Sequence, residues 1–161
     1  MTLPFHTPLT PGQQMQAGLD IVQPLAMADQ VRFSELDVLN HVNNAVYMEW
    51  FERLRVRYIQ DWGISRYDGA ADSPRIVIRS GKIHYLQEMR MDEIYIATCG
   101  CTAYRTSSFS LRQQLWSGGT LRATFDCILV MLTQDASAKY HIPPTVLDYF
   151  KSRDGASFDA V

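Results

Sequence analysis

Between Asn44 and Trp62 the apolar residues Tyr47, Trp50, Phe51, Leu54, Tyr58, Ile59 and Trp62 recur at spacings of three and four. That is the period of one helix face, so the spacing predicts a long core helix over 44–62. Asn43 or Asn44 can cap its start, because a short side-chain oxygen there takes up a first-turn N–H that has no partner in the helix. Gly63 stands where the left-handed residue after a helix belongs. Glu49 and Arg53, on the opposite face, are spaced for an i, i+4 pair. The aromatic stripe reads as packing rather than as a cofactor box.

Elsewhere the period is two. Residues 25–33 read as a first strand, with Val31 and Phe33 on one face. After a loop over Ser65–Pro74, four strands are expected at Arg75–Leu86, Glu93–Tyr104, Ser107–Trp116 and Thr120–Thr133. Arg90-Met91-Asp92, Arg105-Thr106 and Ser117-Gly118-Gly119 are the turns, the last a good hairpin turn. The final strand is apolar on both faces: Leu121, Ala123, Phe125, Cys127, Leu129 and Met131 on one, Ile128, Val130 and Leu132 on the other. Such a strand is buried on both sides. One face must cover the helix, and the other is expected to meet a second subunit. Pro143-Pro144 opens a short helix with Val146, Leu147 and Phe150 as its apolar side. With one helix long enough to fill a core, the simplest arrangement is α+β, an antiparallel sheet wrapped around that helix. Residues 1–24, with four prolines, are expected as an irregular N-terminal arm. Residues 25–150 form the domain, and 151–161 a flexible C-terminal tail.

The chain has 161 residues and a net charge of −2. No long basic stretch appears, which argues against nucleic acid as a partner. No apolar run reaches the roughly 18 residues of a membrane span, and no secretory leader is apparent. Cys99, Cys101 and Cys127 read as free thiols of a reducing compartment, so the cytoplasm is the expected location. Cys99 and Cys101 share a strand face, but no second pair stands at ligand spacing and His84 and His141 are isolated. No metal site is expected.

The stretch from Ser34 to Asn44 gathers Asp37, His41, Asn43 and Asn44 just ahead of the helix. A helix start offers unpaired N–H groups and the positive end of a dipole, a site for an oxyanion or a polarised carbonyl. A carboxylate held beside it can serve as base or nucleophile. The pair suits acyl transfer, and thioesters in particular, because a thiolate leaves with little help from an acid.

The run Asp37-x-x-x-His41-Val-Asn43-Asn44-x-x-Tyr47, followed by Glu52, resembles the signature of the hotdog-fold thioesterases. The similar branch is that of the 4-hydroxybenzoyl-CoA thioesterase-like acyl-CoA thioesterases. The resemblance covers roughly residues 26 to 145 and implies a hotdog fold. It implies hydrolysis of an acyl thioester to free acid and CoA, with CoA as part of the substrate and no separate cofactor. Asp37 matches the base or nucleophile, and the Asn44 N–H matches the donor that polarises the carbonyl. His41 and Asn43 match residues that shape the site. Tyr47 matches an aromatic beside the acyl pocket, whose lining is expected to include Trp50, Phe51, Tyr85 and Phe125. Glu52 is a further substrate-side residue, and Glu49 or Glu52 would take over if Asp37 only caps a turn. Arg105 with Ser107 and Ser108 is the expected cluster for CoA phosphates. Hotdog proteins resemble one another in pairing through a continuous sheet, so a homodimer or homotetramer is implied.

Two departures stand out. Leu39 replaces an asparagine used by acyl-carrier-protein thioesterases, and Met91-Asp92 replaces a usual Gly-Asp turn. A non-catalytic acyl-thioester binding module and a hotdog hydratase or dehydratase remain as alternatives.

Overall fold

The aromatic stripe is buried from Tyr47 to Trp62, as its spacing predicts, in the computed structural model, which describes residues 3–64 and 72–159. In chain order the elements are α1 (Pro11–Gln16), β1 (Leu25–Gln30), α2 (Asn44–Gln60), β2 (Arg75–Tyr85), β3 (Ile94–Tyr104), β4 (Ser108–Ser117), β5 (Thr120–Leu132), α3 (Pro144–Asp148) and β6 (Ser157–Phe158). Of the loop expected over 65–74, residues 65–71 lie outside the described residues. The sheet order is β1-β3-β4-β5-β2, with β6 beside β3. β1 pairs antiparallel with β3, from Leu25 opposite Cys99 to Gln30 opposite Ile94.

The chain divides into two compact units, and α2 and strands β2 to β5 contribute residues to both. The first holds Met1–Arg55, Ile83–Cys99 and Gln113–Phe125. Its helix side packs ring on ring: Trp50 stacks on Tyr95 at 4.1 Å and Phe51 on Phe125 at 5.6 Å. The buried Arg55 donates to Gln113 Oε1 at 3.1 Å, and the Gln113 amide donates to the Phe51 carbonyl at 2.7 Å. These bonds satisfy two polar side chains that burial would otherwise penalise. Arg53 does not pair with Glu49. Its guanidinium turns to the Tyr95 hydroxyl at 3.2 Å and lies 3.8 Å from Asp29, a buried carboxylate with a stronger field than an exposed glutamate offers.

The N-terminal segment is more structured than an irregular arm. Thr10 and Gln13 form a reciprocal capping box around Pro11, which starts α1. Residues 5–9 run along β1: the N–H of His6 donates to Ala28 and that of Leu9 to Ala26. Leu9 and Leu19 complete a second core layer with Ala26, Ala28, Ile96 and Trp116. The face of β3 that carries Ile96, away from Tyr95, is therefore packed against the N-terminal segment. Gly18, at φ +89°, lets this segment touch the β4–β5 hairpin, because a Cβ there would sit 2.7 Å from the Gly119 Cα. Gly118 and Gly119 both adopt positive φ, as the predicted tight hairpin requires.

The second unit holds Val56–Lys82, Gly100–Arg112 and Asp126–Val161. Trp62 meets Tyr58, Phe109 and Phe150 edge to face. At its centre the Asp154 side chain is 0% exposed. It accepts from the Tyr58 hydroxyl, from the Cys101 N–H at 2.8 Å and from Arg153 Nε at 3.1 Å. Burial, with the Asp154 charge close by, pushes the Cys101 thiol well above the ordinary thiol range. Residues 151–159, set apart by sequence as a tail, finish a π-helical turn and add β6, parallel to β3. Ile128, on the β5 face expected to meet a second subunit, is 40% exposed. No helix among the described residues is long and apolar enough to cross a membrane.

Candidate active site

β1 ends at Gln30 rather than at Phe33, because two side-chain contacts turn the chain there. Arg32 reaches back to Asp29 at 3.0 Å, and its N–H is taken by the Glu35 carboxylate at 2.8 Å. Phe33 opens a short 3-10 turn and is 79% exposed. Glu35 then ties the following loop at two points. Its carboxylate accepts the Trp50 indole N–H at 3.0 Å, and its carbonyl accepts the Asn43 N–H at 2.9 Å. The loop from 36 to 42 is closed by a bridge between Leu36 and Val42 and by the Asp37 N–H donating to the His41 carbonyl at 3.0 Å. Asn40 makes the turn at φ +61°, a conformation that asparagine tolerates better than most residues.

This closure sets Asp37 and His41 opposite each other, with Asp37 Oδ1 4.0 Å from His41 Nδ1. Asp37 Oδ1 also accepts the Leu39 N–H at 2.8 Å, an Asx turn. Among the described residues Oδ2 has no hydrogen-bond partner. The other imidazole nitrogen, Nε2, lies 3.7 Å from Glu88 Oε2.

Asn43 is the helix cap: its side chain accepts the Ala45 N–H at 2.9 Å and its carbonyl accepts the Val46 N–H at 2.9 Å. The N–H of Asn44 is paired with no acceptor among the described residues. It stands at the positive end of a 17-residue helix. The Asn44 carbonyl accepts the Tyr85 hydroxyl at 3.2 Å, and the Tyr85 ring meets Tyr47 edge to face at 5.2 Å. Burial pushes the Tyr47 phenol up to about 12.

A cleft of about 170 Å³ is lined by His41, Val42, Asn44, Tyr47, Tyr85 and the segment Leu86–Glu88, while Asp37 and Asn43 are not among its lining residues. The structure thus brings Asp37, His41, Asn43, Asn44 and Tyr47 together in one unit. Glu52 stands apart, its side chain 68% exposed and 3.9 Å from Arg55. Trp50, Phe51 and Phe125 belong to the packed core rather than to the cleft wall. Arg105, Ser107 and Ser108 sit at the β3–β4 turn of the second unit and do not line the cleft. The Arg105 guanidinium is engaged by Asp159 at 2.9 Å, while the backbones of Ser107 and Ser108 bond to Met131 and Arg105. Glu88, like Leu86 and Gln87, is a cleft residue that sequence reasoning missed. Nothing in its spacing marks it, since it reaches His41 only through the backbone bond from Val42 N–H to the Met89 carbonyl at 2.8 Å.

The chain belongs to the thioesterase-like superfamily, whose family model matches residues 31–150. A thioesterase-superfamily protein from Jannaschia sp. CCS1 is 32% identical over 96% of this chain and 98% of that one, with a TM-score of 0.88. A thioesterase from Thermus thermophilus, crystallised with coenzyme A and zinc, is 24% identical over 81% of this chain and 100% of that one, at a TM-score of 0.69. A 1,4-dihydroxy-2-naphthoyl-CoA thioesterase from Synechocystis reaches a TM-score of 0.70 at 11% identity, over 80% of this chain and 96% of that one. The last two likenesses are of fold, and the fold is the hotdog. A comparison with curated proteins finds no match.

Proposed function

We propose that the protein is an acyl-CoA thioesterase that works at the start of α2. The observation that carries this reading is a carboxylate with one oxygen free among the described residues, on Asp37, in the loop that leads into a helix-start N–H with no acceptor, on Asn44. The thioester carbonyl oxygen takes the Asn44 N–H. Asp37 removes a proton from a water whose oxygen attacks the carbonyl carbon. The negative charge on the tetrahedral oxygen is held by the Asn44 donor and the helix dipole. The C–S bond then breaks, CoA leaves as thiolate, and the acyl group leaves as the acid. His41 and Asn43 shape the site, and Tyr47 and Tyr85 form its aromatic wall. CoA is part of the substrate, in keeping with the coenzyme A bound to the Thermus thermophilus thioesterase.

The cleft, at about 170 Å³, is smaller than the few hundred Å³ of an ordinary ligand pocket. We therefore read the working form as a homodimer, or a pair of dimers, in which a second copy completes the acyl pocket. β2 stands at the end of the strand order, and its residues are exposed or half-buried along its length, as a pairing edge requires.

The test is thiol release from a panel of short, long and aryl acyl-CoAs, run beside Asp37→Asn. Release by the wild type with a loss of roughly 100-fold or more in the variant supports the assignment. Equal rates would move the base to Glu49 or Glu52. Binding of acyl-CoA with no release from any member would favour a non-catalytic binding module.

A further inference from the structure

The imidazole of His41 is flanked on both nitrogens by carboxylates: Asp37 from its own loop and Glu88 from the segment after β2. Glu88 is held for this task. Arg90 takes its Oε1 through Nη2 at 2.6 Å and Nε at 3.2 Å, which leaves Oε2 to face the ring. Arg90 in turn has its backbone N–H bound by Glu93 at 2.8 Å. The Glu88 carbonyl accepts Arg122 Nη1 at 3.0 Å, and the next carbonyl, of Met89, accepts the Val42 N–H. The carboxylate is thus fixed from behind by one side chain and along its backbone by two more bonds. The hydrogen bond and charge of Arg90 hold the Glu88 carboxyl below the ordinary range, so it carries its charge at neutral pH. The pair itself is half-exposed and adds little to stability. Its consequence is geometric.

We propose that Glu88 is a positioning residue that acts through His41. It selects one ring orientation, the one that turns Nδ1 toward Asp37 and Nε2 toward Glu88. Without a charge at Glu88 the ring can flip, and the nitrogen facing Asp37 is no longer fixed. The contacts at 3.7 and 4.0 Å are longer than direct hydrogen bonds. Such contacts tighten when substrate closes a site. The charged groups that face the ring are Asp37 and Glu88, with Arg90 behind the latter. The other polar residues that line the cleft are Asn44, Tyr47, Tyr85 and Gln87. The kinetic part of this inference rests on the thioesterase reading.

The experiment is a double-mutant cycle between Glu88→Gln and His41→Gln, with the ring ¹⁵N signals of His41 recorded by NMR on the full chain without substrate. The expected result for Glu88→Gln is a roughly tenfold loss in kcat with KM within about twofold. No further loss is expected when the change is added to His41→Gln. The ring signals should move in Glu88→Gln and return toward the wild-type position in Glu88→Asp. Losses that multiply in the double variant would overturn the proposal, as would ring signals that Glu88→Gln leaves in place. If the ring signals move and the wild type releases no thiol from any acyl-CoA, the positioning contact stands. The thioesterase reading then fails, and with it the catalytic consequence assigned to Glu88.

Discussion

Asp37 and Asp154 are both aspartates in tight turns, one in each unit, and the protein treats them in opposite ways. Asp154 has no exposed side-chain surface, and three donors from three different segments converge on it: Tyr58, Cys101 and Arg153. Asp37 keeps about a quarter of its side chain exposed and spends one oxygen on the Leu39 N–H. A buried carboxylate with three donors on it holds segments together, because most of the lone pairs it could offer a reactant are already used. Asp37, with one oxygen that has no partner among the described residues, keeps a lone pair for a reactant, which is what the proposed function asks of it.

The contrast predicts opposite phenotypes. Asp154→Ala should be the more damaging to folding. It strands the Cys101 N–H and the Arg153 guanidinium in the interior, and removing one partner from such a buried set costs about 3–5 kcal/mol. Chemical denaturation should show a large fall in midpoint, and a small fall would mean that the cluster relaxes to admit water. Asp37→Asn should leave the midpoint within about 0.5 kcal/mol, because the amide oxygen still accepts from Leu39 N–H. Activity should fall by roughly 100-fold, about 3 kcal/mol in the barrier. A variant that unfolds instead would turn Asp37 into a second structural aspartate and erase the distinction.

Much of this was legible in the chain. The aromatic period marked α2, and the period-two runs marked β2 to β5 to within a residue or two, since both patterns follow directly from which faces must be buried. Asp37, His41, Asn43, Asn44 and Tyr47 could be brought together because they are near neighbours in sequence at a helix start. What could not be read lies in contacts between distant segments. Glu88 meets His41 across a backbone bond, Asp154 finds Cys101 across 53 residues, and Arg105 finds Asp159 across 54. The counter-ion of Arg105 sits in a segment that composition marks as a tail. The N-terminal segment is the same case. Prolines announce irregularity, yet Leu9 and Leu19 had a sheet face to cover that no local pattern reveals.

The tyrosines repeat the comparison on a smaller scale. Tyr58 donates into the buried cluster, while Tyr47 faces the cleft with its phenol raised to about 12 by burial. A raised phenol keeps its proton in the folded state after the unfolded chain has lost it near pH 10. The unfolded state then binds fewer protons, so stability must fall as pH rises from about 10 toward 12. Tyr47→Phe removes this loss, which amounts to about 2 kcal/mol at the top of the window. The expected outcome is a flatter stability curve for the variant above pH 10, read from urea unfolding at half-unit steps. Because Tyr95 is raised too, by burial and by Asp29, some alkaline loss should persist. Identical curves for variant and wild type would mean that Tyr47 titrates like a phenol in water.

The smallest effect tests the other half of the proposed pair. Asn43 caps α2 through the Ala45 N–H, and the next N–H, of Asn44, is the one left open. Asn43→Ala should cost about 1 kcal/mol of stability, the ordinary value of an N-cap. Asn43→Asp should recover that stability, because its carboxylate accepts the same N–H and favours the positive end of the helix. The same charge stands next to the N–H proposed to receive the developing oxyanion, and like charge there opposes the transition state. The aspartate variant should therefore be as stable as the wild type and several-fold slower in kcat. If it is stable and equally fast, the oxyanion does not form at Asn44, and the vacant N–H is only an uncapped helix end.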